Sequence, residues 1–133
     1  MRISVVIVLV VCAIAIGAWA LAKPFLWAVD MLTGRERIVA KQQLPNGGRI
    51  EVFQYWNDDF YNLSLRNIAE DGKQYECVID PDCFRISSCK IDVDVTRGEA
   101  TVTAGSAIWA RYRWGAKELV RKNGLLIEAD FVR

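Results

Sequence analysis

The feature that most constrains this chain is a charge-free apolar run from Ile3 to Ala22, ISVVIVLVVCAIAIGAWALA. At 1.5 Å of rise per helical residue it extends roughly 30 Å, the thickness of a bilayer's hydrocarbon core. Inside lipid a backbone must satisfy its own hydrogen bonds, so the run is expected to be helical despite its many β-branched residues. Membrane lipid, contacted through Ile3 to Ala22, is the first partner the sequence implies. Arg2 precedes the run and Lys23 follows it, a weak charge asymmetry, and the short N-terminal flank favours placing the rest of the chain outside the cytoplasm.

The same residues fit a cleavable signal, with a short basic start, an apolar stretch, and small residues at Ala18, Ala20 and Ala22 that suit A-x-A cleavage. Such apolar stretches end by roughly 15 residues, whereas here apolar character resumes beyond Lys23 in PFLWAV. The preferred reading is an uncleaved single-pass anchor in a plasma or inner membrane. A secreted or periplasmic domain released after Ala20 or Ala22 is the alternative. Pro24 near the start and Gly34 just past the end of the second apolar stretch predict a short helix from Pro24 to Thr33. It is read either as an interfacial element or as a kinked continuation of the anchor. The expected organisation is therefore an anchor or signal at 1–22, a helical linker at 23–34 and a separate domain at 35–133.

From Arg35 onward the hydrophobic period changes from helical to alternating. RERIVAKQQL and RIEVFQYW flank Asn46-Gly47, and ELVRK and LLIEADFV flank Asn123-Gly124. Asn-Gly readily takes the positive φ angles that tight hairpins demand, so both sites predict hairpins. FYNLSLRNI puts Tyr61, Leu63 and Leu65 on one face and Asn62, Ser64 and Arg66 on an expected wet face. KIDVDVT alternates Ile91, Val93 and Val95 with Lys90, Asp92, Asp94 and Thr96. QYECVI reads as a strand broken by Asp80-Pro81-Asp82. Strands recurring every 8 to 12 residues predict an antiparallel sandwich or small barrel of about eight strands. The segment from Ser106 is compatible with strand or helix.

Composition narrows function mainly by exclusion. Of 17 basic residues Arg2 alone precedes the run, which leaves 16 to face 16 acidic ones, a neutral domain with no field to draw nucleic acid. The chain contains no histidine, which removes the commonest general base and the usual activator of Ser and Cys nucleophiles. No enzyme activity and no cofactor or metal is expected on these grounds. The carboxylate pairs Asp58-Asp59, Asp80/Asp82 and Asp92/Asp94 fit turn capping or a solvated strand face better than glycoside hydrolysis or calcium binding. A carboxylate-based envelope hydrolase is kept as the alternative activity.

Beyond the run, Cys77, Cys83 and Cys89 stand six residues apart. In an oxidising compartment one disulfide among them is expected, with all three pairings open, and the competing reading is three small buried hydrophobes. The most suggestive run is Trp109-Ala110-Arg111-Tyr112-Arg113-Trp114. As a strand it projects Trp109, Arg111 and Arg113 from one face, a flat ring beside two forked donors suited to an anionic or sugar-like group. Tyr55 and Trp56, before the Asn57-Asp58-Asp59 turn, are the second candidate binding rim. Together these features predict a membrane-tethered, non-enzymatic binding domain on the extracytoplasmic side. It would be an accessory subunit, inhibitor or protective partner of another envelope protein.

Overall fold

The computed structural model describes residues 2–33, 35–57, 59–104 and 108–133. The chain divides into two compact units, Met1–Gly34 and Arg35–Arg133. The first is one continuous helix, α1 (Arg2–Thr33). Its window Ile3–Ala20 is long and apolar enough to cross a membrane and is wholly uncovered by protein. The stretch from Pro24 to Thr33 is not a separate element: it belongs to the same helix.

Among the described residues the second unit has ten strands in two antiparallel sheets, a sandwich-like arrangement. In chain order they are β1 (Arg37–Gln43), β2 (Arg49–Asn57), β3 (Phe60–Ile68), β4 (Gln74–Cys83), β5 (Lys90–Asp94), β6 (Glu99–Ala104), β7 (Ile108–Arg113), β8 (Glu118–Arg121), β9 (Leu126–Glu128) and β10 (Asp130–Val132). The first sheet has the order β1-β2-β3-β4-β10 and the second β5-β6-β7-β8-β9. Both Asn-Gly hairpins form, with Gly47 at φ 92° and Gly124 at φ 87°, a region in which a side chain would strain the backbone. Two strands more than expected arise partly because LLIEADFV is not one strand. It crosses from the second sheet to the first at Ala129, whose amide donates to the Lys117 carbonyl at 2.8 Å.

The core is where the two inner faces meet. Ile50, Val52, Leu63, Leu65, Cys77 and Ile79 of the first sheet form one buried cluster with Ala100, Val102, Ala110, Tyr112 and Leu119 of the second. Period-two alternation dictates this, since each of these positions is followed by an outward residue. Polar bonds cross the gap as well. The buried Tyr112 hydroxyl donates to Asn67 Oδ1 at 2.8 Å, and Arg121 donates from Nε and Nη2 to the Val78 carbonyl at 3.1 and 2.9 Å.

Two local expectations need correction. β4 is not broken at Asp80-Pro81-Asp82: it runs on to Cys83, with register shifts opposite Tyr61 and Leu63 that accommodate an exposed proline unable to donate to the ladder. Asn62 and Ser64 are not wet but buried, because β3 is a central strand on which these short side chains stand beside Tyr55 and Phe53 of β2. That outward face carries its own small cluster. The Arg66 guanidinium lies 4.4 Å from the Phe53 ring centroid and is ringed by carboxylates: Glu36 and Glu76 each at 2.7 Å and Glu51 at 3.8 Å. Glu51 in turn receives Arg49 at 2.8 Å. Burial works to lower the Arg66 pKa, but the hydrogen bonds to Glu36 and Glu76 win and hold it above its ordinary value.

The expected disulfide is absent: Cys77, Cys83 and Cys89 are all free thiols. Cys77 and Cys83 lie on the same strand, and six residues of strand span about 20 Å, far beyond the reach of a disulfide. Cys83 is instead engaged with its neighbours, accepting from Gln54 Nε2 at 3.2 Å and donating to the Tyr61 carbonyl at 3.3 Å. Burial pushes the Cys77 thiol up to about 12 and the Cys89 thiol up to about 11, and it raises the Tyr112 phenol too. These groups ionise at higher pH in the folded chain than in the unfolded one. The folded state therefore keeps protons that the unfolded state has shed, and stability, full below about pH 9, falls as pH rises toward 12. A urea midpoint that is level from pH 7 to 8 and clearly lower at pH 10 is the expected result, and a level midpoint throughout would contradict this burial.

Candidate binding face

The outward face of the second sheet is set by the pairing of β6 with β7. Trp109 stands opposite Thr103, Arg111 opposite Thr101 and Arg113 opposite Glu99, while Ala110 and Tyr112 between them point into the core. The alternation read from the sequence thus brings Trp109, Arg111 and Arg113 onto one face. The segment is a strand from Ile108, and residues 105–107 before it lie outside the described residues.

Glu99, which no sequence motif singles out, organises this face. Its side chain is only 12% exposed, and its two oxygens lie 3.7 Å from Arg111 Nε and from Arg113 Nε. At that separation the pairing is electrostatic, too long for a hydrogen bond, so both guanidiniums, about half exposed, keep donors for another acceptor. Arg111 also lies 5.0 Å from the Trp109 ring centroid, which fixes the stacked pair without covering the whole indole. Arg97 and Asp94, 3.8 Å apart, add a balanced pair alongside. A hollow of about 370 Å³ opens here, lined by Asp94, Arg97, Glu99, Thr101, Thr103, Trp109 and Arg111. Trp109 also borders a second hollow of about 320 Å³ with Ile79, Asp80, Pro81, Arg121, Lys122 and Asn123. Among the described residues the indole is the one group common to both.

Tyr55 and Trp56 belong to the other sheet and line neither hollow. Tyr55 stacks on Phe53 with centroids 6.1 Å apart, and Trp56 meets Tyr61 edge-on at 4.9 Å, so both are partly spent on packing. Asp92 and Asp94 face solvent beside Lys90 and Arg97, at 3.5 and 3.8 Å, and Asp58 lies outside the described residues. Among the described residues no three metal-ligating side chains cluster.

No protein-family model matches the chain. No curated protein and no solved structure matches it either.

Proposed function

We propose that this chain is a membrane-tethered, non-enzymatic binding domain that captures another envelope protein on the extracytoplasmic side, as an accessory subunit or as its inhibitor or protective partner. The observation that carries the reading is the Trp109 face. It holds a partly open indole and two exposed guanidiniums in register, with the indole and Arg111 lining a hollow, on a strand whose alternate residues are locked in the core. Such a face suits a partner presenting a carboxylate next to an apolar or aromatic group. The fork-shaped donors fix orientation and the indole supplies desolvated area. The anchor supports the reading because α1 has the length and composition of a membrane span.

The test is capture of crosslinked membrane neighbours by the full-length chain and by the Trp109→Ala, Arg111→Ala, Arg113→Ala triple variant. Capture should fall about tenfold or more, with Trp109→Ala alone giving most of the loss. Stability should fall by about 1 to 2 kcal/mol, because the triple variant leaves the largely buried Glu99 carboxylate without Arg111 and Arg113, so folding is checked by the urea midpoint. Unchanged capture by a folded triple variant would refute the site. A soluble product lacking residues 1–20 or 1–22 would move the search to exported partners.

A further inference from the structure

The end of the domain at which the chain arrives from α1 carries a fixed, outward-pointing aromatic ring. Strand register identifies the residues that share this end: Arg37 pairs with Gln54, Trp56 with Tyr61, Asn57 with Phe60, and Tyr61 with Cys83. Phe60 is 48% exposed here, and Phe84, the residue after β4, is 92% exposed.

Phe84 does not stand on a loose loop. Gln54, 1% exposed, donates from Nε2 to the Phe84 carbonyl at 2.7 Å and accepts at Oε1 from the Ile86 amide at 2.8 Å. Arg37 donates to that same Gln54 oxygen at 2.8 Å and also to the Ile86 carbonyl. The backbone on both sides of Phe84 is thus bolted to the first sheet while the ring is held out in water. Singly exposed apolar residues are ordinary on a protein surface. Here a buried glutamine and an arginine fix the backbone that presents the ring.

We propose that Phe84, with Phe60 beside it, seats this end of the domain in the interfacial layer of the bilayer, an inference that rests on reading α1 as an uncleaved anchor. Covalent lengths argue for lipid as the occupant. The 32 residues of α1 extend about 48 Å, close to the 40 to 45 Å between the outer edges of the headgroups. Only residues 34–36 separate α1 from β1, so Arg37 can lie no more than about 14 Å from the helix end. The opposite end of the domain, with its turns at 45–48 and 70–72, is separated from this one by a strand length, about 30 Å. Tyr55 and Trp56 lie at the same end as Phe60 and Phe84, as aromatic side chains at a lipid interface do. Exposed Arg85 and Lys90 are offset there by exposed Asp59 and Asp82, so the rings carry the contact and anionic lipid adds little.

The experiment uses the full chain in nanodiscs of phosphatidylcholine, alone or mixed with phosphatidylglycerol. Phe84→p-benzoylphenylalanine is irradiated and the intact mass is read, with the same photoreactive residue at Glu70, in an exposed turn of the opposite end, as the reference. The expected result is a phospholipid adduct at position 84 in about tenfold or greater excess over position 70, equal in both lipid mixtures. A chain of full mass that incorporates yet gives no excess, or that crosslinks to a second copy or another protein, would overturn the seat while leaving the anchor intact. A chain that does not incorporate overturns the anchor reading, and the seat with it.

Discussion

Replacing Arg66 with methionine is expected to lower the unfolding free energy of the domain by about 3 kcal/mol. The change removes the cation from among Glu36, Glu51 and Glu76 and the flat group that covers the Phe53 ring. Glu51 is nearly buried and, among the described residues, keeps only Arg49, itself half exposed, as an ion-pair partner. Arg66→Lys should recover less than half, because an ammonium cannot bond two carboxylates in a plane and stack on the ring at once. Adding Glu51→Gln to Arg66→Met should restore part of the loss, which full-chain urea titration followed by tryptophan fluorescence will measure. Additive losses in that double variant would mean the pair is not coupled.

Gln54→Leu is the second replacement. It keeps the volume of a buried side chain but deletes the groups that hold the Phe84 carbonyl, the Ile86 amide and Arg37. Stranding buried polar partners costs about 1 to 3 kcal/mol each when water cannot reach them, and some of these can be rehydrated at the loop, so about 3 kcal/mol in all is expected. Hydrogen exchange gives a sharper readout. The Ile86 amide should lose its protection while amides of β6 and β7 lose only what the global destabilisation removes. Retained protection at Ile86 would show that the loop is held by other means.

Much of the domain was legible because its signals are local. Asn46-Gly47 and Asn123-Gly124 mark hairpins by a backbone requirement, and alternation in KIDVD and WARYR separates core from surface at each step. The outward placement of Trp109, Arg111 and Arg113 followed from the same rule. Other features depend on partners distant in sequence. Glu99 meets Arg111 and Arg113 only through sheet register, and the ring of carboxylates on Arg66 gathers residues 36, 51 and 76 from three segments. Asn62 and Ser64 read as wet because periodicity reports which face a residue takes, not how tall its neighbours are. Of the three cysteine pairings that the spacing leaves open, Cys77–Cys83 is out of reach for a related reason, since spacing along the chain says nothing about reach when both share one extended strand.

The crossing at Ala129 has a mechanical consequence. A captured partner would load the second sheet through β7, while an anchored chain would resist through β1 in the first. Tension would then have to pass between two layers that otherwise meet chiefly across their core and at the β4 to β5 connection. One residue carries the backbone from β9 in one layer to β10 in the other, so the layers are stitched covalently along the far edge. On the near side, a pull at Arg37 along β1 loads its hydrogen bonds to β2 in shear, all together instead of one after another.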